Sequence, residues 1–233
     1  MHDSQITLGK TDLEMACALI DYLKSQGVPF HQDGFPVNDQ KWFLKIEPSE
    51  VLPFYQRSVC TDPSTTAICF NETDDHLYTR IRQVFQELPE YKRFLGVLPM
   101  DLSVSRFMIP EVQNFNLLLN ALFLATLGVN GVKFASPVRF GSIHTIPYFS
   151  HYRGSFLWSI GCVGTKNNGK VSRRYEEYNR SAFLLLMDRP KKLLAYGKMH
   201  PEEKLNWESN GVPVSEYIDY NERSRRGDLK NVR

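Results

Sequence analysis

Cysteine is scarce in this chain: four residues in 233, at positions 17, 60, 69 and 162. No CxxC pair occurs and no histidine stands at a zinc-ligand spacing. A disulfide scaffold is excluded, and a structural metal is not expected. Cys60 and Cys69 flank the turn-rich TDPSTT, yet MHDSQITLGK holds no basic stretch leading into an apolar core. No secretory leader is therefore expected, the thiols are expected reduced, and the expected location is the cytoplasm. Charge of one sign is missing too: Lys and Arg total 28 against 26 acids, a formal net charge of +2. That excludes a strongly basic, histone-like nucleic-acid binder. The longest apolar run, LLLNALFLATLGV from Leu117 to Val129, is broken by Asn120 and falls short of the roughly 20 residues needed to span a bilayer. It reads as a buried helix, and no membrane partner is expected. Neither G-x-S-x-G nor H-E-x-x-H occurs.

Apolar residues make up 42% of the chain, enough for one large domain with appendages. Thr11-Asp-Leu-Glu14 is a capping box, and Leu13, Ala16, Leu19, Ile20 and Leu23 follow at helical spacing until Gly27 and Pro29. WFLKI (42–46) alternates like a strand, and 49–59 reads as a helix interrupted by Pro53. From there strands and helices alternate: strand 67–70, helix 73–88, strand 94–100, helix 110–127, strands 131–135 and 155–160, helix 174–187, and strand 192–196. This order predicts an α/β fold: a mainly parallel sheet of five or six strands with helical crossovers, doubly wound or a partial TIM-like barrel. Residues 1–65 would pack a helix and strand on the core, 66–199 would form that core, and 200–233 would be a polar tail.

In parallel α/β folds ligands sit beyond the carboxyl ends of the strands. Those ends hold Asn71, Glu72 and Asp74; Asp101 and Ser103; Ser136 and Arg139; Gly161, Cys162, Gly164 and Lys166; and Lys198 and His200. Asp101 stands out, because an acid directly after an apolar strand can orient a base, hold a cation or cap a turn. Gly164-x-x-x-x-Gly169-Lys170 resembles a phosphate loop, but Val171 occupies the place of the metal-binding hydroxyl, and the plainer reading is a turn. Cys162, with His144 and His151 upstream, is a weaker nucleophile candidate. Lys166, Lys170, Arg173 and Arg174 form one basic group. Arg225 and Arg226 belong to a second, which also holds Arg223, Lys230 and Arg233. The long segment 137–155 carries Tyr148, Tyr152 and Arg153, residue types that stack on unpaired bases.

Residues 67–198 also resemble a family of bacterial, phage and plasmid proteins known only as a domain of unknown function. The matching features, in order, are AICFNETDDHLYTRI, FLGVLPMDLSVSRFMIPEVQNFN, LGVNGVKFASPVRFG, GSFLWSIGCVGTKNN and KLLAYGK. The resemblance implies a shared α/β core and carriage on mobile elements; it implies no activity. The chain departs from the family in the apolar stretch Leu117–Leu127, where arginine and glutamine are usual. It also departs at Ser136-Pro137-Val138-Arg139 and in a heavier insert around His144–Arg153.

Three functions are expected from these residues, with no cofactor. The leading one is a phage or mobile-element binding protein acting on a host protein, nucleoprotein or nucleic-acid-processing partner without turnover. Its partner-binding residues would be Tyr148, Tyr152, Arg153, Lys166, Lys170, Arg173, Arg174, Arg225 and Arg226. The second is an enzyme acting on a phosphate-bearing substrate, with Asp101, Arg139 and Lys198 as catalytic candidates. The third is a replication-associated nucleic-acid binder using the two basic groups. Self-association is left open.

Overall fold

The computed structural model describes residues 8–105, 107–139, 141–162, 184–185 and 188–226. The first helix, α1 (Asp12–Ser25), begins at the expected capping box. Glu14 N–H donates to the Thr11 hydroxyl at 3.2 Å, and Thr11 N–H donates to the Glu14 carboxylate at 2.9 Å. It ends where expected: Gly27 takes the left-handed conformation (φ 77°), and Val28 N–H reaches back to the Leu23 carbonyl at 3.0 Å.

The segment Trp42–Ile46 is not a regular strand. Gln40–Trp42 make a 3-10 turn, and Phe43 forms one parallel bridge to Phe134. Trp42, Phe43 and Leu44 are all buried, so the alternation in their chemistry is not an alternation of faces. The first strand is β1 (Glu50–Pro53), where a helix was expected. Pro53 has no N–H to give a helix but is tolerated at a strand end, and a 3-10 stretch, Phe54–Val59, follows.

Next come β2 (Thr66–Phe70), α2 (Asp74–Arg82), α3 (Val84–Tyr91), β3 (Gly96–Met100) and α4 (Pro110–Val129). The helix expected over 73–88 is thus two helices, broken at Gln83 (ψ 6°). Then follow β4 (Ser136–Pro137), β5 (Leu157–Gly161), β6 (Lys192–Tyr196), α5 (Pro201–Ser209), β7 (Val214–Tyr217) and α6 (Tyr220–Arg226). Residues after 200 therefore supply two helices and a strand where a polar tail was expected. The helix expected over 174–187 and the Gly164–Lys170 loop lie outside the described residues.

All pairings between these strands are parallel. Among the described residues one sheet has the order β1-β2-β3 and the other β4-β5-β6-β7, seven strands in place of the five or six expected. A parallel bridge between Val97 and Phe134 links the β3 edge to the segment entering β4. Parallel strands are buried on both faces, which is why AICF and KLLAY read as unbroken apolar runs.

Side-chain direction sorts these residues into layers. Ile68, Phe70, Val97 and Met100 point into a cluster with α1–α4. Trp158, Ile160, Leu193 and Ala195 point into a second, with Trp207 of α5. Their neighbours Ala67, Cys69, Leu98, Leu157, Leu194 and Tyr196 share a third cluster with Val51 and Ala135, so both sheets contribute one face to a common interior. At the β7–β1 side the Tyr217 hydroxyl donates to the Pro48 carbonyl at 2.8 Å, Ser215 donates to Glu47, and Arg223 Nη1 meets Glu50 Oε1 at 2.8 Å.

Among the described residues α4 is the one helix long and apolar enough to cross a membrane, and 72% of that stretch is buried against the fold. Two of its buried amides tie it to neighbouring segments, while Asn120 Oδ1 is buried without a hydrogen-bond partner. Asn116 donates to the Ser103 carbonyl (2.7 Å) and accepts from the Tyr78 hydroxyl (2.8 Å). Gln113 Oε1 accepts from both the Ser142 N–H (2.8 Å) and the Ser142 hydroxyl (2.7 Å). One helix thereby fixes the chain just after Asp101 and just after Arg139.

Candidate functional site

Because β2 to β6 run the same way, their carboxyl ends open on one rim. Asn71 follows β2, Asp101 follows β3, Arg139 comes two residues after β4, and Gly161 and Tyr196 end β5 and β6. Together with Cys69, Leu98, Ser159 and others, these five residues line a small pocket with about 30 Å³ of room, near the share of one water molecule.

The pocket is organised by charge. Arg139 Nη1 lies 2.7 Å from Asp101 Oδ1, with the two side chains 27% and 31% exposed. The Arg139 Nε–H is buried without a hydrogen-bond acceptor. A guanidinium has five donors in a fixed fork, and here at least one is unspent. Gly161 sets the width: a Cβ placed on it would stand 3.1 Å from Asp101 Oδ2 and 3.9 Å from Asn71 Oδ1. Any larger residue would press on the carboxylate.

Two of the groups lining the pocket, Cys69 and Tyr196, are buried. Burial pushes the Cys69 thiol well above its usual value, and burial likewise raises the Tyr196 phenol. Burial thus disfavours the thiolate, the form in which a cysteine is a good nucleophile. Cys162 is buried at the end of β5, His144 is exposed, and His151 is engaged elsewhere. Among the described residues no three His, Cys, Asp or Glu side chains are placed to hold a metal ion.

Asn71 also lines a second, open cleft with about 640 Å³ of room. Its walls include Tyr55 and Tyr220, whose rings meet edge to face at 5.6 Å, and Glu72 and Arg80. Glu72 was legible as a strand-end residue, whereas Tyr55, Arg80 and Tyr220 were not. They come from the 3-10 stretch after β1, from α2 and from α6, and only packing brings them together.

The other candidates are distributed differently. Lys198 is exposed beyond β6 and does not line the pocket, so it is not brought to Asp101 and Arg139. The segment 137–155 is not an open loop, because Ile143–Tyr152 coils as a 3-10 helix. Within it Tyr152 is buried and Tyr148 has one face stacked on Phe35 (4.5 Å), while Arg153 is exposed and its carbonyl is tied to Gln40. Tyr152 therefore offers no face to a base. Arg225 is exposed on α6, and Arg226 ends that helix. Lys166, Lys170, Arg173 and Arg174 lie outside the described residues.

His151 fastens this segment to the N-terminal region. Its Nε2 sits 2.8 Å from Asp33, and its ring packs on His31 and Phe35. Burial holds its pKa below the usual value, outweighing the upward pull of Asp33. The unfolded chain, with His near 6.5, then binds the proton more readily than the folded one. The stability involved is complete above about pH 6.5 and is lost as pH falls toward the lower folded value. Thermal melts between pH 7 and 5 should show a decline that is shallower in His151→Gln; equal slopes would contradict this.

Compared with family models, with curated proteins and with solved structures, the chain finds no match.

Proposed function

We propose that the protein binds a small phosphate-bearing ligand at the mouth of the strand-end pocket, one phosphate oxygen entering it, with Arg139 holding the anion and Asp101 holding Arg139 in place until the ligand enters. The observation that carries this is the Asp101–Arg139 pair itself: a directed guanidinium with a buried, unspent donor, at the rim where parallel α/β folds hold their ligands. An entering phosphate oxygen would share or replace Asp101 as the acceptor, and charge-assisted contacts of that kind are the stronger hydrogen bonds. Turnover belongs to the proposal as well. Among the described residues Asp101 is the one carboxylate lining the pocket, and once released from Arg139 it can take a proton from a substrate hydroxyl or water.

The proposal includes a finer reading of the fold, with the seven strands as one partial TIM-like barrel. The inward cluster shared by both sheets, the Val97–Phe134 bridge and the Tyr217–Pro48 and Arg223–Glu50 contacts support it. It also includes membership of the mobile-element family that residues 67–198 resemble. A role in partner binding has less support. The apolar face of α4 is taken up by α1, α3, β3 and the 3-10 segments, and one of the two basic groups has no described position.

Calorimetric titration with ribose 5-phosphate tests the site. Wild type should bind, and Arg139→Met, which keeps the stem and removes the charge, should weaken binding tenfold or more, as expected for loss of a charge-assisted pair. Equal affinities would refute the assignment.

A further inference from the structure

Resting on the pocket reading above, we infer that the ligand carries a planar nitrogen heterocycle in the cleft beside the pocket, its N–H edge on Glu72 and its face on Tyr55 or Tyr220; the ligand class is a nucleotide.

The reason lies in how the charges of the cleft are shared. Arg80 serves two acids unequally. Its Nη1 is 2.6 Å from Glu87, whereas its Nε is 3.5 Å from Glu72 Oε1, too long and poorly directed for a hydrogen bond. Glu87 also accepts from the Tyr91 hydroxyl. Glu72 therefore has the 3.5 Å ion pair with Arg80 and a 3.7 Å approach from His76 Nδ1, but no hydrogen bond to its Oε1. Its side chain is only 6% exposed, and Oε1 is buried with no hydrogen-bond partner. A buried carboxylate lacking hydrogen bonds is costly, and donors from a ligand would relieve that cost. Arg80 itself is held over the Phe54 ring at 4.6 Å and shared with Glu87.

The walls suit a flat group. Tyr55 and Tyr220 are 39% and 41% exposed, and their edge-to-face pairing leaves the faces of one ring free for stacking. A carboxylate that accepts from adjacent N–H groups beside an aromatic face is the arrangement that recognises a guanine-type edge. The cleft has room for a base and sugar, within the usual range for small-molecule sites. Asn71 and Glu72 are consecutive, the first lining the pocket with Arg139 and the second lining the cleft. One ligand with an anionic end and a heterocyclic end can therefore reach both.

The test is calorimetry on the full chain with three probes: guanosine 5′-monophosphate, ribose 5-phosphate and guanosine. The monophosphate should bind at least tenfold more tightly than ribose 5-phosphate. Glu72→Gln should remove most of that advantage while leaving ribose 5-phosphate binding unchanged. Tyr220→Leu, which leaves Arg80 and its partners alone, should weaken the monophosphate about fivefold and guards against a folding defect in Glu72→Gln. Guanosine that binds in a Glu72-dependent manner when ribose 5-phosphate does not would uphold the cleft and refute only the Arg139 pocket. Equal affinities for the two phosphates, a monophosphate affinity indifferent to Glu72→Gln, or no binding of any guanine probe would overturn the inference.

Discussion

Gly161→Val is expected to abolish ligand binding, with a loss of more than a hundredfold, while the chain still folds. Position 161 is the last residue of β5 and has ordinary strand geometry, where valine is at home. The effect comes from the space in front of it. A Cβ there already meets Asp101 Oδ2 at 3.1 Å, and two further methyl groups exceed the roughly one-water volume of the pocket. The carboxylate must turn away, which separates it from Arg139 and fills the place a phosphate oxygen would take. Overpacking of this kind costs about 1–3 kcal/mol of stability, so circular dichroism should show a folded protein with a modestly lower Tm. Retained binding in a folded Gly161→Val would mean that the pocket is not the binding place.

Phe123→Ala is expected to be the most damaging single truncation for stability, at about 3–5 kcal/mol. Phe123 sits at the middle of α4 with no exposed surface. Its ring meets Phe70 of β2 edge to face at 5.4 Å and Tyr91 of α3 at 6.1 Å, so it joins helix layer to sheet. These neighbours are themselves locked, Tyr91 by its bond to Glu87 and Phe70 by its strand pairing, and cannot collapse into the space. Domains are stable by only about 5–15 kcal/mol, so the loss is a large fraction of the total. Urea denaturation should show a lower midpoint with an unchanged slope. A change under about 1 kcal/mol would mean that α4 is not the keystone of the main cluster.

How far the sequence announced this molecule depends on burial. AICF and KLLAY were legible as strands because both of their faces are covered. The helix α1 was legible to within a residue because both ends carry their own signals, Thr11/Glu14 and Gly27. The strand β7, VSEY, was not legible: it is only half covered, so no apolar run marks it, and residues 200–233 read as a tail. The break between α2 and α3 falls at Gln83, with neither glycine nor proline to announce it. The strand β1 was hidden by a proline and a polar start, while nearby WFLKI carried a strand-like pattern that three consecutive buried side chains do not follow. The aromatics of the long segment 137–155 offered two readings, stacking on unpaired bases or packing on the sheet edge. Its 3-10 coil turns Tyr152 inward, and the segment is tied down by the Gln113–Ser142 and Asn38–His151 bonds, which no local pattern encodes.

The candidate site divides along the same line. Asp101, Arg139, Asn71, Glu72 and Gly161 could be grouped beforehand because parallel topology alone places strand ends together. Lys198 belongs to the same set by topology, yet its side chain stays in solvent, since strand order fixes a position and not a direction. Tyr55, Arg80 and Tyr220 needed the packing of α2 and α6 around the 3-10 stretch after β1. Their spacing in sequence carries no hint of it.

The most direct measurement is a backbone amide NMR titration of the full chain with ribose 5-phosphate. Saturable shifts centred on Asn71, Asp101 and Gly161, and absent in Arg139→Met, are the predicted result. Shifts that never saturate, or that gather on α5 or the β7–β1 side, would contradict an anion site at the strand ends.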